Sequence, residues 1–224
     1  MLALLYDIHG NLPALEAVLG DAEAAGAERF VLGGDYALFG AWPQETVARL
    51  RRLDAEWIRG NGERWTAEPA GAPQEVQGAI ERCRELLGEE LVHQLAALPE
   101  TFTAEGVLYC HASPGSDVDS FLPQPADRDA ELLLGVEAER LVFGHTHLAF
   151  QRNVGGIELL NPGSVGMPFD GDPRAAYALV RADGGIEPRR VEYDHRASAD
   201  AVRERLGEAG EVPARRIEQA RFDA

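Results

Sequence analysis

A chain of 224 residues with 45% hydrophobic content is long enough to bury one sizeable core and too apolar to be disordered. Its formal charge of −17 excludes a groove for duplex nucleic acid, which needs clustered cations, and no apolar run reaches the length of a membrane span or a secretory leader. Two cysteines, Cys83 and Cys110, are too few for a disulfide framework, so the expectation is one soluble domain over 1–224 in a reducing cytoplasm.

The opening run "MLALLY" reads as a strand covered on both faces. Asn11 is placed to cap the helix that follows, Pro13 falls in its first turn, and Leu12, Leu15 and Leu19 form its apolar stripe before Gly26 closes the unit. "RFVLGGD" is a second strand, "PQETVARLRRL" an amphipathic helix opened by Pro43, and "AEWIRGN" a third strand. This alternation predicts parallel strands joined by crossover helices. Residues 66–105 read as a helical insertion, two helices broken near Gly88. "GVLYCH" and "ERLVFGH" resume the strand rhythm. After Ala149 the pattern turns antiparallel, with "AFQRNVGGIELLN" and "AAYALVRADGGIEPRRVEY" each holding two strands about a Gly-Gly turn. Residues 197–224 form a charged helical tail with a break near Pro213.

Polar residues fall where the strands stop. Asp7 and His9 follow the first, Asp35 the second, Asn61 the third; His111 ends "VLYC", and His145 and His147 follow "LVFG". Ligands of open parallel sheets gather outside the carboxyl ends of the strands. Each residue alone has a plainer reading: a turn or cap for Asp7, Asp35 and Asn61, a satisfied core imidazole for His111, a polar loop for "GHTH". Together they take four of the six histidines to one rim, a set rich in oxygen and imidazole donors and free of thiolate. That chemistry suits Mn, Fe, Zn, Co or Ni rather than a structural cysteine cage.

In this order, "DIHGN", "GGD", "GN", "CH" and "GHTH" resemble the calcineurin-like metallophosphoesterase superfamily, most of all its small single-domain bacterial and archaeal phosphodiesterases; "LLNPGSVGMP" resembles a segment those proteins carry after the last histidines. The resemblance runs from Met1 to about Tyr193. It implies a four-layer α-β-β-α sandwich, two mixed β-sheets flanked by helices, with 66–105 inserted. It further implies two divalent metal ions, one held by Asp7, His9 and His147, the other by Asn61, His111 and His145, with Asp35 bridging. Asp35, Asn61 and His145 would then be the catalytic residues as well, through a hydroxide between the metals that attacks phosphorus in line. The implied activity is hydrolysis of a small phosphoester such as a nucleotide, a diester more than a monoester. No membrane partner is implied, and association of copies stays open.

Two positions depart from the pattern. Many members carry a histidine after the asparagine, where this chain has Gly62, and an aspartate three residues beyond the bridging one, where it has Leu38. The two losses are coherent, since the aspartate supports that histidine. General-acid help of this kind contributes about 10²–10⁴-fold. Arg64 and Glu63 are candidates to replace it, each with a surface or supporting role as the plainer alternative. Arg64 and Ser113 are candidate substrate contacts; Ser164, Trp42 and Trp65 are weaker ones, and Trp57 is expected in the core. A metal-binding scaffold or regulatory protein of the same fold, with little turnover, is the competing reading.

Overall fold

The computed structural model describes all residues, 1–224. Along the chain run β1 (Leu2–Leu5), α1 (Leu12–Ala24), β2 (Arg29–Leu32), α2 (Pro43–Leu50), β3 (Ala55–Trp57) and α3 (Asn61–Ala67). Next come α4 (Gln77–Leu87), α5 (Glu89–Ala96), β4 (Thr101–Ala104), β5 (Val107–Cys110), α6 (Asp129–Leu132) and β6 (Arg140–Val142). The last third holds β7 (Phe150–Val154), β8 (Ile157–Asn161), β9 (Ala175–Val180), β10 (Ile186–Val191), α7 (His195–Leu206) and α8 (Glu211–Gln219). Two five-stranded sheets result, ordered β10-β9-β1-β2-β3 and β4-β5-β6-β8-β7. Both are mixed: β1, β2 and β3 pair in parallel while β9 runs antiparallel to β1, and β5, β6 and β8 pair in parallel between antiparallel edges.

The period of two along the strands decides which residue fills which layer. Leu4, Tyr6, Val31 and Ala178 of the first sheet face Tyr109, Val142 and Leu160 of the second. Ala3, Leu5, Phe30 and Leu32 point the other way, onto Leu15, Val18 and Leu19 of α1. Burying a side chain of this size is worth about 1.5–3 kcal/mol, which is why the apolar runs alone predicted these strands. As expected, the Asn11 side chain accepts the Ala14 N–H at 3.4 Å to start α1, with Pro13 in its first turn. The far face of the second sheet is covered by Phe121 and Leu133 from a long loop, in which α6 is a single turn. No helix is long and apolar enough to cross a membrane.

Three boundaries differ from the sequence reading. The insertion breaks at Gly88 as predicted, but its last residues, Thr101–Ala104, form strand β4 rather than helix. They pair with β5 through a two-residue turn at Glu105 and Gly106, both at positive φ, which lets a short edge strand close. The helix α3 begins on Asn61 itself, although two glycines flank it; Glu63 supplies its cap by accepting the Gly60 N–H at 2.8 Å. The tail breaks at Gly207–Gly210, and Pro213 lies in the first turn of α8, where its missing N–H costs nothing.

Tyr36, just past β2, locks the ends of two strands together. Its hydroxyl donates to the Ile58 carbonyl at 2.6 Å and accepts the Gly34 and Ile58 N–H groups, each at 3.2 Å. Tyr36→Phe takes this partner from the Gly34 N–H and the Ile58 carbonyl, while the Ile58 N–H keeps the Leu32 carbonyl at 2.9 Å, and should lower unfolding free energy by about 1–3 kcal/mol in a denaturant titration. An unchanged midpoint would mean the hydroxyl does not hold the strand ends.

Candidate metal centre

Five predicted ligands sit in left-handed backbone: Asp7, His9, Asp35, His145 and His147 have φ between 50° and 65°. Only three other non-glycine residues in the chain do so. A side chain in this region costs on the order of 1–3 kcal/mol, so the loops must be held there from outside. They hold one another. The His9 N–H donates to the Asp35 carbonyl at 2.8 Å, and the Gly144 N–H to the His111 carbonyl at 2.7 Å. The His145 N–H donates to Asp7 Oδ2 at 2.9 Å.

The "NPGSVG" segment completes the clamp, a role the sequence did not disclose. Asn161 donates to the Gly144 carbonyl and Thr146 hydroxyl at 2.9 and 3.0 Å. Ser164 is fully buried and donates to the Asp7 carbonyl at 2.7 Å, so it supports the loop and is not a substrate contact. At Gly166 a Cβ would lie 1.9 Å from the Ile8 carbonyl oxygen, which admits only glycine.

The imidazoles are aimed by backbone carbonyls. Nδ1 of His9 donates to Leu38 O at 2.9 Å, that of His111 to Gly33 O at 2.8 Å, and that of His147 to Met167 O at 2.5 Å. A carbonyl only accepts, so each Nδ1 carries the proton and each Nε2 presents a bare lone pair. Burial holds His9 at about 3 and pushes His111 and His147 below their usual range, so the rings stay neutral.

These lone pairs then meet other acceptors. His9 Nε2 lies 3.1 Å from His147 Nε2, and His111 Nε2 lies 2.9 Å from Asn61 Oδ1. Asp7 Oδ1 is buried with no hydrogen-bond partner, 3.5 Å from His147 Nε2 and 3.9 Å from His111 Nε2. Asp35 stands between the two groups, Oδ2 at 3.8 Å from His9 and Oδ1 at 3.6 Å from His111. Acceptors crowded together without a donor repel; a divalent cation among them removes the conflict. The donors present therefore fit a metal. They fall into two triads within 4.8 Å, Asp7 with His9 and His147, and Asp7 with Asp35 and His111. The resemblance assigned sharing to Asp35 alone; in these triads Asp7 is the shared residue and Asp35 belongs to one.

Asn61 and His145 are the predicted ligands outside both triads; Asn61 touches His111, and the His145 ring lies edge-on to His111 with centroids 5.3 Å apart and its pKa lowered to about 3 by burial. Glu63 lies beneath the centre, accepting the Asp35, Tyr36 and Gly60 N–H groups at 2.9, 2.8 and 2.8 Å. It acts as a brace for Asp35, and burial beside that carboxylate raises it to about 7. The Gly62 N–H donates to Asp35 Oδ1 at 2.7 Å, and a Cβ there would come within 2.8 Å of the same oxygen. Arg64 grips Asp117, missed as a site residue, through two bonds of 2.6 Å. Ser113 turns its hydroxyl to the Ser116 carbonyl at 3.4 Å on the wall of a cavity beside His111. Trp57 packs edge-on to Tyr36 in the core, as expected.

The model of the calcineurin-like phosphoesterase superfamily domain matches residues 1–185. The chain belongs to this superfamily. An uncharacterized protein of Methanocaldococcus jannaschii is 31% identical over 233 residues, covering 93% of this phosphoesterase chain and 94% of its own. A metallophosphoesterase from Sphaerobacter thermophilus has a TM-score of 0.81 at 26% identity, covering 98% of both chains. A hypothetical protein from Pyrococcus horikoshii OT3 shares the fold, with a TM-score of 0.82 at 23% identity over 94% of this chain and 96% of its own.

Two outcomes test the centre. Burial lifts Asp35 to about 7 and Asp7 well above the carboxylate range, so below neutrality a cation must displace protons from them. Mn²⁺ binding followed by calorimetry should release protons and weaken as pH falls from 7.5 to 6, about tenfold per unit for each proton displaced; affinity independent of pH would mean the carboxylates are not ligands. Gly166→Ala should cost about 1–3 kcal/mol of stability and reduce bound metal, as read by denaturation and metal analysis.

Proposed function

We propose that this phosphoesterase is a phosphodiesterase working with two divalent cations. The observation that carries this reading is the pair of acceptor–acceptor contacts, His9 with His147 and His111 with Asn61, set on either side of Asp35. Asp7, His9 and His147 would hold one ion, Asn61, His111 and His145 the other, with Asp35 and Asp7 Oδ1 between. When bound, such ions polarise phosphate oxygens and acidify water, so that hydroxide is at hand near neutral pH.

The chain's own residues set the preference. Asn61 contributes an oxygen without a further negative charge, which keeps the rim attractive to an anion. Arg59 and Arg64 line the cavity beside the centre, and each is paired with a carboxylate, Glu100 and Asp117. Their charge is already spent, so the second negative charge of a phosphomonoester gains little, and a singly charged diester is favoured. With glycine at position 62, no side chain delivers a proton to the departing oxygen. Glu63 does not substitute, being turned onto three backbone N–H groups. Leaving groups that depart as stable anions are therefore preferred.

With Mn²⁺, kcat/KM for bis(p-nitrophenyl) phosphate should exceed that for p-nitrophenyl phosphate by about tenfold, a barrier difference of about 1.4 kcal/mol. Asp35→Ala and His145→Ala should each reduce turnover at least ~10²-fold, and chelation should abolish it while far-ultraviolet circular dichroism stays native. A metal-loaded chain that turns over no phosphoester would be a binding or regulatory protein on this fold, a reading that Gly62 favours.

A further inference from the structure

Beside His145 the surface opens into a cleft of about 550 Å³, walled by Arg64, Trp65, Val118 and the 70–73 turn of the insertion. Trp65 is half-buried, packs against the main core and also lines the cleft, with its Nε1 buried and without a hydrogen-bond partner. Arg64 spends Nε and Nη2 on Asp117, and its Nη1, beside Gly71, makes no hydrogen bond. Pro73 and Val118 add apolar wall, Val118 being 40% exposed.

We propose that this cleft is the subsite for an aromatic ring carried on the phosphate, with Trp65 as its stacking platform and Arg64 Nη1 as a donor to ring substituents. The proposal deepens the phosphodiesterase reading and rests on it. Because His145 belongs both to the predicted ligand set and to the cleft wall, a phosphate held at the centre places its ester substituent against Trp65. The volume is that of a small-ligand site, and Trp65, Ala72, Pro73 and Val118 give it an apolar side beside Arg64 and His145, as an aromatic ring with polar substituents requires. The chemistry at position 62 points the same way. Hydrolysis joins the oxygen of water to phosphorus and breaks the bond to the ester oxygen, which leaves with the electron pair while the proton of water passes to solvent. Without an acid at Gly62, an aryl oxide, whose conjugate acid titrates near ~10, leaves far more readily than an alkoxide.

The test uses the intact Mn²⁺-loaded chain and two ligands with the same anionic head, phenylphosphonate and methylphosphonate, titrated by calorimetry. The phenyl compound should bind at least about tenfold tighter, in line with stacking on an aromatic side chain. Trp65→Ala should erase that preference and Trp65→Phe retain it, with methylphosphonate affinity unchanged in both; Val118→Gln, at an exposed position, should narrow it without touching the core. Equal affinities in the unaltered chain, or a preference that survives both Trp65→Ala and Val118→Gln, would overturn the subsite. A ring preference without turnover of any diester would keep the subsite and sink the enzymatic reading instead.

Discussion

Electron pairs forced together without donors are the constraint from which the rim of this molecule follows. Asp7 and Asp35 are buried carboxylates, and three imidazoles beside them are fixed in the tautomer that points a lone pair inward. Burying a carboxylate without compensation is expensive, and adding neutral acceptors around it does not help. Positive charge at the centre reconciles the arrangement, and a metal, on which the family depends, would supply it. The strain is paid in backbone too, with five ligand residues in a conformation that side chains disfavour.

A protein can keep such a centre only if everything around it is stiff. The sheets supply the stiffness: each ligand follows a strand whose side chains are locked into one of three apolar layers. Between the strand ends, hydrogen bonds run from loop to loop, so that no ligand can relax alone. Glu63 and the Asn161–Met167 segment act through this network, reaching the centre by bracing Asp35 and Asp7 from behind. The tail joins in from the side, its Val202, Leu206, Ala214 and Ile217 packing with Met167, whose carbonyl orients His147.

The two departures from the family pattern take on meaning in this frame. Leu38 has lost the carboxylate of related chains, yet its carbonyl holds the His9 ring while its side chain fills the core. Gly62 has lost the imidazole, yet its N–H holds Asp35. Both positions hold a candidate ligand, His9 or Asp35, through the backbone, and neither carries an acidic side chain. The seven residues that the resemblance names as ligands are all present, and the histidine it places after Asn61 is not.

The strand ends and their Asp, His and Asn residues were legible because apolar runs and chemically distinctive side chains are local properties. So were the helix break at Gly88 and the cap at Asn11. The strand at Thr101–Ala104 was not, because four residues of mixed character become a strand only when β5 lies alongside to pair with them. Nor could the pairing of Arg64 with Asp117, 53 residues apart, or the burial of Ser164 against Asp7 be read from neighbours in sequence. By itself, the sequence determined which groups could bind a metal and which acid was missing, since those are matters of residue type. Only the tertiary structure decided that Asp7 belongs to both triads, that Glu63 faces backbone and that Trp65 walls a cleft, because ångström-scale distances between lone pairs depend on how distant segments pack.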